Sequence, residues 1–145
     1  MTLKVIILMI LNAILYRLGG KGGGPWYFNT KMRDVGCALV TCFGMFWIYG
    51  VTTWWAHALG FAALFACLCT YWDSFFGYDN FFFHGFMCGV AFAPYAMSGD
   101  VTWLGVLIRA GALGLFMWAW CGFFKNDVVE ETGRGASLAM TLPIL

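Results

Sequence analysis

The sequence predicts an all-α fold: a polytopic transmembrane helical bundle of about five spans, completed by a short re-entrant or interfacial segment at its carboxy-terminal end. Three observations lead there. Of the 145 residues, 62% are hydrophobic and 10% charged, whereas a soluble domain is about half apolar and roughly a quarter charged. The apolar residues fall in continuous runs close to the 20 or so that a helix needs to cross hydrocarbon, not in the alternating segments of a membrane β-barrel. Aromatic residues make up 20% of the chain, as expected where rings meet acyl chains and headgroups.

The length suits one domain, residues 1–145. The first span is Leu3 to Leu18, interrupted only by Lys4 and Asn12. It reads as a retained span, because Tyr16-Arg17-Leu18 stands where a signal peptide would carry small residues for cleavage. The second runs from Val35 to Tyr49, extending toward Val51, and the third from Trp54 to Trp72. The fourth covers Asn80 to Met97, with Pro94 near its end, where a kink is expected. The fifth is Thr102 to Phe124. The uncharged stretch Ala136 to Leu145 is too short to cross and is expected at the interface or as a re-entrant segment. Small residues recur at helix-packing spacing: Gly85, Gly89 and Ala93 on the fourth span, Ala56 and Gly60 on the third, Ala110 and Gly114 on the fifth. Such positions let helix backbones approach closely in lipid.

The cations set an orientation. Arg17, Lys21, Lys31 and Arg33 crowd the first loop, and the positive-inside bias places that loop in the cytoplasm. Five spans then put the amino terminus outside and the carboxy terminus inside, together with Lys125 and Arg134. Lys4 falls outside and Arg109 within a span. The outer connections, Gly50 to Thr53 and Ser98 to Asp100, are plain. The inner ones carry both signs of charge and many glycines, so the functional surface is expected on the cytoplasmic side. A net charge of +1 gives no support for a nucleic-acid partner. No metal or cofactor is expected, since all six cysteines lie inside apolar stretches without the paired spacing of a zinc site.

Candidate site residues collect at that inner edge: Lys21, Asn29, Lys31, Arg33, Asp34, Asp73, Asp79, Asn80, His84, Glu130, Glu131 and Arg134. The run Gly19 to Gly24 could fold its amides around a phosphate, with Lys21 adding charge. It lacks the order of a P-loop, and a flexible turn is the plainer account. Asn80, His84 and Cys88 share a helix face, and a histidine beside a carboxylate could act as base or proton relay. Against this, Asp73 and Asp79 could simply pair with Lys31 or Arg33. Glu130 and Arg134 have the favourable i,i+4 order, suggesting a helical turn before a break at Gly133 to Gly135. Arg109 lies about 10 Å into its span and needs an acceptor: Asp100 by snorkelling, or carbonyls freed near Pro94, a structural pairing that is set slightly ahead of a conducted-anion site. His57, beside Trp54 and Trp55, reads as interfacial decoration.

The stretches Asn29 to Gly36, Gly77 to Asn80 with His84-Gly85, Glu130 to Gly135, and Thr141-Leu142-Pro143 resemble small polytopic inner-membrane proteins of tailed bacteriophages. The likeness covers most of the chain. It implies a bacterial inner membrane and a role in infection, and it brings no catalytic assignment. The sequence therefore reads as a non-enzymatic, homo-oligomeric membrane protein whose cytoplasmic vestibule binds or conducts a small ion or solute, or alters host-membrane function. Two rival readings stand beside it: an embedded enzyme acting on a lipid headgroup, and a scaffold docking a soluble cytoplasmic protein.

Overall fold

The computed structural model describes residues 1–20, 24, 28–69 and 81–145. Among the described residues every regular element is helical. These are α1 (Thr2–Gly19), α2 (Thr30–Tyr49), α3 (Trp54–Cys69), α4 (Phe81–Val90), α5 (Ala93–Met97), α6 (Trp103–Phe123) and α7 (Asp127–Met140), with a 3-10 turn at Leu142–Ile144.

Side-chain caps fix several ends. The Asn29 side chain accepts from the Met32 amide and starts α2 at Thr30, well ahead of the expected Val35. At its other end Gly50 takes the left-handed conformation, φ 67°, that ends a helix cleanly. Thr102 caps α6 through the Gly105 amide, and Asn126 caps α7 through Val128 and Val129. The kink expected near Pro94 is a complete break. Proline offers no N–H to the carbonyl one turn back, so the chain turns at Ala91–Phe92 and restarts with Pro94 in the first turn of α5. Ala93 therefore does not extend the stripe of Gly85 and Gly89.

Two expectations about the carboxy-terminal end are corrected. Gly133 and Gly135 do not break a helix; α7 runs straight through both. The segment after Ala136, expected at the interface or as a re-entrant stretch, is packed inside the bundle. From Asn126 the chain turns back and runs antiparallel to α6, with Gly135 against Asn12 and Tyr16, Leu138 at Arg109, and Leu142 under Gly44. A Cβ built on Gly105, near the start of α6, would lie 3.2 Å from the Leu145 carbonyl oxygen. Asp127 to Leu145 thus traverses the bundle, and its length was hidden because its first half is charged.

The elements pack in chain order and close into a ring: α1 on α2, α2 on α3, α3 on α4 and α5, α4 on α6, α6 on α7, and α7 back on α1. The Gly85 and Gly89 stripe faces Ala110 and Gly114 of α6 inside one chain. A Cβ at Gly85 would lie 2.6 Å from the Leu113 carbonyl oxygen, and one at Gly89 would strike the Ala110 backbone. The ring interior is filled by fully buried Leu8, Met45, Leu64, Leu113, Met117, Leu138 and Leu142.

Both chain ends lie at one end of the bundle. Lys4 Nζ donates to the Trp47 carbonyl oxygen at 2.9 Å, beside the Gly50 turn, and Tyr49 Oη donates to the Leu142 carbonyl oxygen at 2.6 Å. Leu145 is also there, so the expectation of termini on opposite sides does not hold for this fold. The outer surface is apolar: Leu3, Leu107 and Trp118 are 69%, 55% and 62% exposed, while Asn12, Asp34, Thr41, Arg109 and Ser137 are buried. Two helices, α1 and α6, are long and apolar enough to cross a membrane; α3 and Phe81–Met97 are apolar but shorter.

Candidate polar site at the basic end

Asp34, Arg33, Tyr16, His84 and Arg134 converge at the end of the bundle away from the termini, the first four about one turn from their helix ends and Arg134 about two turns into α7. The first two come from α2. Arg33 Nη2 and Nε both lie 2.9 Å from Asp34 Oδ1, and the carboxylate is 1% exposed. Such a charge-assisted contact holds the carboxylate in place in a dry setting. The Arg33 guanidinium also lies over the Tyr16 ring, 4.5 Å from its centroid. From α7, Arg134 approaches the same ring at 5.8 Å and the Phe81 ring at 5.4 Å. The tyrosine is thus the ring that two guanidiniums share.

Glycine makes the approach possible. A Cβ on Gly19 would strike Arg33, and one on Gly20 would strike the Glu131 carboxylate. The start of the glycine run is therefore where α1 admits side chains from α2 and α7. Glu131 reaches Arg17 at 3.8 Å, and Glu130 reaches Arg134 at 3.9 Å, both long for ion pairs. Against the tight Arg33–Asp34 pair, Arg134 is held loosely. Its Nε is buried without a hydrogen-bond acceptor, and so is the Tyr16 hydroxyl.

His84, 7% exposed, belongs to this cluster, with Arg134 and Arg33 the charges that bear on it. Among the described residues its polar contact is Cys88 Sγ, 4.0 Å from Nε2; Asp73 and Asp79, the carboxylates expected beside it, lie outside the described residues. Other expected members stand apart. Asn29 is the α2 cap, and Lys31 is exposed beside Phe28, Met32 and Val35. Lys21, Asp73, Asp79 and Asn80 lie outside the described residues.

Two groups expected elsewhere have other roles. His57 is a brace: Nε2 lies 2.8 Å from the Val51 carbonyl oxygen and Nδ1 2.9 Å from Tyr95 Oη. A carbonyl can only accept, so Nε2 carries the proton and Nδ1 accepts from the tyrosine hydroxyl. Arg109 finds neither of its expected acceptors. Asp100 pairs with the Ser98 hydroxyl, the Pro94 carbonyl accepts from the Ser98 amide, and Arg109 Nη2 donates to the Leu138 carbonyl oxygen at 2.8 Å.

Sequence reasoning overlooked Tyr16, the residue at the centre. Its signal was present: Asn12 and Tyr16 are four apart, the same face of α1, and both are fully buried. Among the described residues no cluster of His, Cys, Asp or Glu could hold a metal ion. Comparison of the chain with protein-family models, with curated proteins and with solved structures finds no match.

Proposed function

We propose that the chain is an integral membrane protein whose basic end binds a phosphate-bearing anion between Tyr16, Arg33 and Arg134. The membrane reading rests on the reversed polarity of the fold, apolar outside and polar within, which a bilayer rewards and water does not. Six segments cross: α1, α2, α3, α4 with α5, α6, and α7 with its 3-10 turn. At about 1.5 Å per residue, the 20 residues of α2 and 21 of α6 reach roughly 30 Å, the thickness of the hydrocarbon core. Arg17, Lys31, Arg33, Lys125 and Arg134 share one end, which the positive-inside bias assigns to the cytoplasm. Both termini are then outside. In the phage setting suggested by the resemblance, the membrane is the host's inner membrane.

The observation that carries the ligand is the pair of buried donors without acceptors, the Tyr16 hydroxyl and Arg134 Nε. A buried donor left unpaired costs about 1–3 kcal/mol, and an oxyanion between two guanidiniums satisfies both. Conduction is the weaker version of the vestibule reading, because fully buried aliphatic side chains fill the ring beyond this cluster. The phosphate could be inorganic or a lipid headgroup. The test uses protein in neutral phosphatidylcholine nanodiscs, titrated with inorganic phosphate and, separately, with short-chain phosphatidic acid. Wild type should bind at least one, and Arg134→Gln should weaken that binding roughly tenfold or more. Unchanged affinity in Arg134→Gln and Tyr16→Phe, or no binding of either probe, refutes the site.

A further inference from the structure

A second buried cation lies deeper, and among the described residues no side chain compensates it. Arg109 is 0% exposed. The Leu138 carbonyl takes one N–H of Nη2, and the Phe92 ring lies under the guanidinium, 4.6 Å from Cζ to the centroid. Nε and Nη1 are buried without an acceptor. Among the described residues no carboxylate forms an ion pair with it. The side chains that bear on it electrostatically are Cys88, Cys42 and Tyr49, two thiols and a phenol, which are neutral groups at their ordinary pKa values near neutral pH. The phenol hydroxyl is already donated to the Leu142 carbonyl.

A guanidinium does not lose its proton in a protein, and a buried charge without a partner costs several kcal/mol. We propose that Arg109 is a binding position for a small monovalent inorganic anion, of the halide class, held by Nε–H and Nη1–H inside the ring. Charge favours one negative unit, which makes a neutral pair. Size favours a compact ion, since the guanidinium has no exposed surface and is shut in by Phe92 and Leu138. A phosphate ester is larger, and its dehydration costs more. Leu138 is one turn beyond Arg134 on the same face of α7, about 6 Å along the axis, and Cys88 is within electrostatic reach of both guanidiniums. The assignment does not depend on phosphate binding at that end.

The experiment measures thermal unfolding of the purified full chain in neutral nanodiscs, with sodium chloride replacing sodium gluconate at constant ionic strength. The melting temperature should rise with chloride, on the order of 5 °C over a hundredfold range above the binding midpoint. The rise should vanish in Arg109→Gln and persist in Lys125→Gln, whose side chain is exposed. Should Arg109→Gln fail to fold, crystals of wild type grown in bromide decide instead. An anomalous peak within hydrogen-bond distance of Arg109 Nε or Nη1 supports the site, and its absence there overturns it. No chloride dependence overturns it, as does a dependence that survives in Arg109→Gln. A chloride response lost in Arg33→Gln but kept in Arg109→Gln moves the anion to the basic end and also refutes the assignment.

Discussion

Tyr16 offers the most direct test at the scale of one side chain. Its hydroxyl is buried without an acceptor while its ring lies beside both Arg33 and Arg134. Phenylalanine keeps the ring and removes the orphan. Tyr16→Phe is therefore expected to stabilise the ligand-free protein by about 1 kcal/mol while weakening phosphate binding several-fold. Thermal unfolding and titration in the same nanodiscs check the two signs, and loss of stability without loss of affinity would count against the site. The opposite arrangement holds at Asp34, whose carboxylate is buried against Arg33. Asp34→Asn leaves the guanidinium without its charge partner and should cost about 3 kcal/mol or more, read as a fall in melting temperature. At this scale the sequence was informative where charge was costly. Arg33, Asp34, His84 and Arg134 stood out because ionisable residues are rare in apolar chains. Tyr16 did not, because a tyrosine in a hydrophobic run looks like any interfacial aromatic.

The helices show which glycines carry contacts. At Gly89 a Cβ would strike the Ala110 backbone, and at Gly85 the backbone of Leu113 and Gly114, whereas at Gly111 and Gly122 it would meet nothing within 4 Å. Gly85→Ala and Gly89→Ala are expected to destabilise by about 1–3 kcal/mol through forced separation of α4 and α6. Gly111→Ala and Gly122→Ala should be neutral, or stabilising by up to about 1 kcal/mol from helix propensity. Equal melting temperatures across the four variants would remove the close contact from the account. The spacing of small residues marked Gly85, Gly89, Ala110 and Gly114 as positions of close helix approach, and the fold makes them face each other. Gly133 and Gly135 misled for the converse reason. Local propensity reads two nearby glycines as a break, whereas here they let Trp120 and the Asn12 carbonyl approach α7.

At the scale of the whole molecule, the return of α7 changes the topology. Hydropathy marked the apolar helices, but it could not mark a helix whose first half is charged and whose inner face is Gly133, Gly135, Ser137 and Thr141. Periodicity and apolarity identify segments that face lipid, and α7 is sheltered by α1, α2 and α6. The six crossings proposed above would place both chain ends on the same side. Epitope tags at the two termini should both be accessible from outside right-side-out spheroplasts and become accessible from inside only on lysis. A carboxy-terminal tag that is protected while the amino-terminal tag is exposed would restore the five-span arrangement.

The same segment has a consequence for biogenesis. Helices α1 and α6 are each long and apolar enough to cross a membrane. The last segment, with Asp127, Glu130, Glu131 and Arg134 ahead of its small residues, is not. If the chain spans a membrane as proposed, this segment has to be received by helices already in place, and its main partner, α1, precedes it in the chain. In that order the ring closes when α7 docks on α1. Until that moment Arg109 has no Leu138 carbonyl to bond, and α1 exposes Asn12 and Tyr16. A chain split after Phe124 should accordingly be unstable alone and be rescued in part by residues 125–145 supplied separately, a complementation that degradation rates in cells would register.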